Sequence, residues 1–536
     1  MARVRRPHEV VAGGGALSPP GSRIPRAAIH RSARIIGIGL VLVAALRLSY
    51  LFSGYVLGWD GFRLHHVQAA AAIFASLGLV TAALNKRREF SDGFREPGVG
   101  HGWVMWPVAV LLFWPSLSVS FLSDDFVLLK HAASWHLGPV TPELFRPLPL
   151  FLWSVLIAAG ATATAFHAVN LILHLANAYL VGRIVRRWTP EPGVANLAGA
   201  LFLTSPIAVE PVVWASGIFD VMATTLALSL ILVARRYTSS TPPSIRLTFF
   251  SIGVLALASK ETAAVAPILV LVDSWVLRRL DQAGLRRDAF ALSLVMALYG
   301  AARLFSASDD LGPSGLSRYS VQALIFGTFG GLSAPWSSES MRLVPAVAGM
   351  HSLIVTALFT LYFITSGSRE RLRAIVGGGA LLALIPLLPV FPFSGVGADL
   401  QGSRYLYMAT LGWAGLVALV VGDLAQVLGR SGRGIWLAVT LLVAGACVQV
   451  RIHLLPWADS SVTVAAAQIA AARDLKVPGC DSVVVTGLPD SVRGAYAFRN
   501  GTAEALSLKT AAVGTVPSDC AFYWDSSANS FRREGR

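Results

Sequence analysis

Charge is what this sequence has least of. Only 14% of its 536 residues are Asp, Glu, Lys or Arg, against about 25% in a soluble globular protein. That shortfall excludes an ordinary soluble domain. It also excludes a disordered chain, which would be polar and highly charged. Acid is scarcer than base, 29 residues against 44, for a net charge of +15. A nucleic-acid-binding protein can be this basic, but not with 54% hydrophobic residues. Heptads and solenoid or tandem repeats are missing, and so is the alternating pattern of short strands that a β-barrel needs. What is present is long apolar runs, and they imply an all-α polytopic membrane protein.

A spanning helix needs about 20 mostly apolar residues. The candidates are Ile35–Leu57, Val67–Leu84, Trp103–Leu122, Phe166–Val185, Val194–Val209, Val212–Ala234, Leu247–Ala258, Ala263–Leu277, Ala289–Phe305, Met350–Ile364, Ala374–Val390, Tyr405–Val421 and Ile435–Val450. Leu148–Ala165 and Val321–Trp336 are weaker, interrupted by Gly160 and by Gly327, Gly330, Gly331 and Pro335. Basic residues mark the cytoplasmic side of short loops. The arginine-rich tail (Arg3, Arg5, Arg6, Arg23, Arg26, Arg31, Arg34) therefore faces in. The clusters at Lys86–Arg88, Arg183–Arg187, Arg235–Arg246, Arg278–Arg287, Arg369–Arg373 and Arg430–Arg433 all follow it only if the two weak stretches do not cross. The expectation is about 13 spans, a cytoplasmic N-terminus and an external C-terminus.

The organisation expected is a disordered cytoplasmic tail (1–34), two extra N-terminal spans (35–101), a membrane domain (102–455) and a small extracytoplasmic α/β appendage (456–536). Ser460–Lys476 reads there as an amphipathic helix and Ser482–Val485 as a strand before a Gly-Leu-Pro-Asp turn. An external compartment permits a Cys480–Cys520 disulfide; two free thiols are the alternative. The first apolar run is too long for a signal-peptide core and reads as an anchor. Composition and the lack of an organelle-targeting segment point to a bacterial plasma membrane.

In this topology the external face collects polar residues that are costly near a bilayer and so suggest function. Asp124 and Asp125 directly follow a span; such a pair can bind a metal, supply a general base, or simply cap a helix. Arg146 could grip a phosphate or snorkel to headgroups. His167, Asn170 and His174 share one helical stripe. Zinc would want a third protein ligand, so an inward stripe satisfied within the bundle is the plainer account. Glu210 sits between Pro206 and Pro211, where a structural turn would not need a carboxylate, and Asp220 follows it. Lys260 and Glu261 are either a self-neutralising pair or a cation set against an anionic ligand. Arg404 is flanked by Tyr405 and Tyr407, which interfaces favour anyway.

Taken in order, these elements form a set: Asp-Asp at 124–125, Phe-Arg-Pro-Leu at 145–148 and His-x-x-Asn-x-x-x-His at 167–174. Ser-Pro-x-x-x-Glu-Pro-Val-x-Trp-x-x-Gly at 205–217, Lys-Glu-Thr at 260–262 and Arg-Tyr-Leu-Tyr at 404–407 complete it. The set resembles the GT-C superfamily of polytopic glycosyltransferases. The nearest branch is the protein O-mannosyltransferase-like one, including members with tetratricopeptide repeats. The resemblance covers about residues 103–425. It implies a GT-C-like helical bundle and inverting transfer of a sugar, mannose in that branch, from a polyprenyl-phosphate donor to an acceptor hydroxyl. Asp124 would be the catalytic base, and Asp125 would support it, position the acceptor or help bind a divalent metal. Arg146, Lys260 and Arg404 would hold the donor phosphate. Glu210 and Glu261 would orient those cations or the sugar, with His167, Asn170, His174, Asp220, Tyr405 and Tyr407 as further substrate-binding candidates. Metal dependence is left open, since family members differ. The expected partners are membrane lipids, the lipid-linked donor and a protein, lipid or glycan acceptor, with no nucleic acid.

The chain departs from the pattern in lacking the repeats, in its two extra spans, and in Ser-Pro where the family often has His-Pro. A donor with a polyprenyl tail cannot leave the bilayer, because each buried CH₂ is worth ~0.8 kcal/mol. Such an enzyme must offer a lateral groove and a charged pocket at headgroup depth. Competing readings are transfer to a lipid or cell-envelope glycan, and a transporter or flippase. The last would place polar groups at the midplane on broken helices in two related halves. A non-catalytic scaffold is a further alternative, and it would tolerate Asp124→Asn.

Overall fold

The computed structural model describes residues 105–140, 145–306, 331–333, 335–365, 373–390, 396–397, 399–429, 433–475, 483–508 and 520–533. The arginine-rich tail, the expected spans Ile35–Leu57 and Val67–Leu84, most of Val321–Trp336, and Cys480 lie outside the described residues.

The protein is a helical membrane protein. Five helices among the described residues are long and apolar enough to cross a bilayer: Ala163–Val185, Ala215–Ala234, Pro345–Thr365, Thr410–Leu428 and the long Gly434–Asp474. A sixth crossing arises if Pro192–Leu203 and Pro206–Val213, bent by 44°, act as one. Two of the thirteen apolar runs lie outside the described residues, and several of the others are interrupted. Proline ends several runs early, because it lacks the N–H that a helix interior needs. Val194–Val209 breaks before Pro206. The Ala263–Leu277 run opens as a 3₁₀ turn, Glu261–Val265, and leaves an α-helix of 11 residues, Ala266–Val276. Ala374–Val390 is a π-helix, Ala374–Leu381, followed by short turns. The weak Leu148–Ala165 stretch forms the 12-residue helix Pro147–Ala158 and stops at Gly160. At about 18 Å it is too short to cross.

Apolar helices gain little from burying apolar surface against one another inside lipid, so close backbone approach matters more. The tightest approach joins Thr410–Leu428 to the π-helix. A Cβ on Gly412 would overlap the backbone of Leu382 and Ala383, and one on Gly379 would meet Leu416. These helices pack with Ala163–Val185, Pro192–Leu203 and Ile218–Ala234 into one buried core.

Polar groups collect at the two ends of the bundle. Asp220 and Arg235 bracket the Ile218–Ala234 helix, about 22 Å apart along its axis. At the Arg235 end, Asp273 takes Arg235 at 2.5 Å and the Trp188 indole at 2.8 Å. Asp288 there takes Arg246 at 2.7 Å. The acidic motifs lie at the opposite end.

The last membrane helix does not stop where the appendage begins. Helix Arg433–His453 continues into Leu455–Asp474 with only Leu454 between them. The appendage beyond is small. β1 (Val484–Thr486) pairs in parallel with β4 (Ala521–Asp525), and β4 pairs antiparallel with β5 (Ser530–Arg533). β2 (Ser491–Val492) and β3 (Ala495–Tyr496) form a separate antiparallel hairpin. The Asp474 carboxylate accepts from the Phe531 backbone N–H at 3.0 Å and ties β5 to the helix end. Cys520, directly before β4, is disulfide-bonded, whereas Cys447 is free.

Candidate active site

Ser123 has a positive φ of 50°, so the chain turns sharply out of the preceding segment, and Asp124 and Asp125 start helix Asp124–Ala133. The turn sends the two carboxylates different ways. Asp125 is fully buried. Its Oδ2 accepts the Leu122 N–H at 2.9 Å, and its Oδ1 accepts the Ser216 N–H at 2.8 Å and the Ser216 hydroxyl. Burial pushes its carboxyl up to about 7, against the opposing pull of those hydrogen bonds. Asp125 thereby pins the start of this helix to the turn at Ala215–Gly217. That turn is tight: a Cβ on Gly217 would overlap the Pro211 carbonyl. Asp124 instead stays partly exposed. Its Oδ1 accepts the Asn500 amide at 2.5 Å and the Ser123 hydroxyl at 3.3 Å.

Three cations converge on the same end, each with its own carboxylate. Arg146 holds Glu261 through two bonds, Nη2–Oε1 at 2.6 Å and Nε–Oε2 at 3.2 Å, and lies 4.8 Å from the Phe219 ring centre. Lys260 Nζ binds Asp220 Oδ1 at 2.5 Å. Arg404 Nη1 binds Glu210 Oε1 at 2.7 Å, while the Ser403 hydroxyl donates to Glu210 Oε2 at 3.2 Å. Sequence neighbours Lys260 and Glu261 are therefore not each other's partners. Lys260 is extended, with φ −164° and ψ 144°, which turns successive side chains to opposite sides.

Aromatic rings join these pairs to the carboxylate helix. Tyr405 lies between two cations, its ring 5.3 Å from Lys260 Nζ and 5.0 Å from the Arg404 guanidinium. Trp214 carries Arg404 on its ring at 4.8 Å and donates its indole N–H to the Leu122 carbonyl at 3.2 Å. Tyr496, from the appendage hairpin, accepts from Arg404 Nη1 at 2.9 Å through its hydroxyl and packs on Trp214 at 4.6 Å. Burial raises its phenol above the ordinary value.

The remaining candidates lie elsewhere. Asn170 donates to the Trp214 and Ala215 carbonyls at 2.9 and 3.3 Å and braces the turn from below. His174 meets the Tyr407 hydroxyl at 2.8 Å and the Leu203 carbonyl at 3.1 Å. Asn177 donates to the same Tyr407 hydroxyl at 3.1 Å. His167 is buried on the same helix. This stripe and Tyr407 are buried and form a polar seam inside the bundle. As a ligand set for a metal the acidic pair fits poorly, because Asp125 spends both oxygens on backbone and hydroxyl donors. No group of three His, Cys, Asp or Glu side chains suited to a metal occurs among the described residues.

Sequence reasoning missed Ser216, Phe219, Tyr496 and Asn500. Ser216 sits inside the Trp-x-x-Gly motif and could have been flagged there. Tyr496 and Asn500 carry no local signal.

No known family model matches the chain, and no curated protein does. Among solved structures, that of ArnT from Cupriavidus metallidurans bound to undecaprenyl phosphate is similar in outline. It is 13% identical, covers 78% of this chain and 87% of that one, and has a TM-score of 0.37. A likeness this slight assigns no fold family.

Proposed function

We propose that the chain is an inverting glycosyltransferase of the GT-C kind, moving a sugar from a polyprenyl phosphate to an acceptor hydroxyl on the extracytoplasmic side. The observation that carries this reading is the convergence, at one end of an apolar bundle, of three carboxylate-braced cations with a partly exposed carboxylate, Asp124. Arg146, Lys260 and Arg404 hold the donor phosphate. Glu261, Asp220 and Glu210 keep each cation aimed without leaving it unpaired in a poorly hydrated place. Asp124 removes the proton from the acceptor hydroxyl as that oxygen attacks the anomeric carbon. The bond from that carbon to the phosphate oxygen breaks, and polyprenyl phosphate departs with its added charge met by the three cations. Inversion follows from one direct displacement.

An apolar groove along helix Ala266–Val276 supports the lipid-linked donor. Ile268, Leu271, Val272, Trp275, Leu280, Phe290 and Leu381 line it, with Arg286 at the end away from Glu261, and it starts about two turns from Glu261. A soluble sugar nucleotide would need no such groove. In this reading the arginine-rich end around Arg235 and Arg246 faces the cytoplasm, following the positive-inside rule, and the end that carries Asp124 faces out. Mannose is the first sugar to test. The acceptor is a protein, a lipid or an envelope glycan.

The test uses membranes holding wild type or Asp124→Ala, supplied with labelled polyprenyl-phosphate mannose, glucose and arabinose in turn. Transfer of one label by wild type and a loss of about 10²–10⁴-fold in the variant are expected, as for a positioned general base. Equal transfer by both, or none by wild type, refutes the reading.

A further inference from the structure

Asn500 belongs to the appendage, 376 residues after the carboxylate it touches, yet its amide is the closest donor to Asp124 at 2.5 Å. The contact is built rather than incidental. The Ala497 carbonyl accepts the Ser123 N–H at 2.9 Å, and the Asn500 N–H donates to the Ser123 hydroxyl at 3.3 Å. The next residue, Gly501, has φ 70° and approaches the Ser123 carbonyl so closely that a Cβ would not fit. Segment 497–501 is thus clasped to the turn that launches the carboxylate helix. Both side-chain hydrogen bonds to Asp124 fall on Oδ1, and among the described residues Oδ2 accepts none.

We propose that Asn500 is a positioning residue for Asp124: it occupies Oδ1 and so makes Oδ2 the oxygen offered to the acceptor hydroxyl. The inference rests on the proposed transferase reading. It makes the appendage part of the reaction centre rather than a separate module. The other charged groups on the two elements that meet here are already engaged. Asp125 turns inward, Lys130 pairs with Glu504 at 3.1 Å, and Arg499 lies 5.5 Å from the Tyr496 ring.

The experiment measures kcat and KM separately for the full-length protein in membranes, using the labelled polyprenyl-phosphate sugar that wild type transfers. Asn500→Ala should lower kcat by about tenfold, with KM for the donor little changed. Asn500→Ser, which keeps a donor, should recover part of that loss. Glu504→Ala breaks a docking contact that does not touch Asp124 and should leave kcat in place. An unchanged kcat in Asn500→Ala, an equal loss in Glu504→Ala, or no recovery in Asn500→Ser overturns the proposal while wild-type transfer still upholds the transferase reading. Wild-type membranes that transfer no sugar refute the transferase reading itself.

Discussion

The Lys260–Asp220 pair separates structure from chemistry. Lys260 is 2% exposed and Asp220 6%, and they meet at 2.5 Å. The neighbouring Thr224 hydroxyl bonds the Asp220 backbone carbonyl, not its carboxylate. Lys260→Met therefore strands a buried charge, which costs about 3–5 kcal/mol. Replacing both partners, as Lys260→Met with Asp220→Leu, removes the stranded charge. It should return stability to within a few kcal/mol of wild type, on either side. Thermal unfolding of the detergent-solubilised protein measures both. Sugar transfer is the second axis. If Lys260 holds the donor phosphate, the stable double variant remains impaired by about 10²-fold or more, the scale seen when one preorganised charge-stabilising donor is removed. A double variant that is stable and transfers at the wild-type rate would make the pair purely structural. A single variant that melts like wild type would refute the argument from burial itself.

Tyr496→Phe removes a hydroxyl from Arg404 but keeps the ring on Trp214. It should raise KM for the lipid-linked donor several-fold with little change in melting temperature, read by steady-state transfer. Asp125 gives a pH signature. Its folded-state pKa stands above the unfolded value of 3.8, at about 7, so the folded protein holds the proton more tightly, and stability falls as pH rises between those values. Melting temperature measured from pH 4 to 8 should drop through that window in wild type and flatten in Asp125→Asn. For the cysteines, mass spectrometry after alkylation of the denatured, unreduced protein should show one adduct, on Cys447. After reduction it should show three, with Cys480 as the expected partner of Cys520.

Much of the site was legible because its members sit in short motifs beside apolar runs, where each charge demands a reason. Glu210 between two prolines and Arg404 before Tyr405 are of that kind. Partnership was not legible. Adjacency left it open whether Lys260 and Glu261 neutralise each other, and an extended backbone at Lys260 parts them. Tyr405 and Tyr407 looked alike, yet the turn at Ser403–Leu406 leaves one beside the cations and sends the other to His174. Asn500 and Tyr496 were invisible, since nothing in hydropathy or spacing joins them to residues several hundred positions earlier. The course of each run was not legible for a related reason: composition reports an apolar run, but Pro206 and the π-helix at Ala374 decide whether that run stays straight.

The helix that leaves the bundle at His453 and resumes at Leu455 also sets an angular phase. Each residue added to it turns everything downstream by about 100° and advances it by 1.5 Å. A single insertion near Leu454 would swing the hairpin away from Arg404 and Asn500 away from Asp124, without altering a residue in either group. Homologous appendages exchanged onto this bundle would have to match it in helical phase as well as in sequence. Insertions of one to three residues at this joint should be more damaging than longer ones placed in loops.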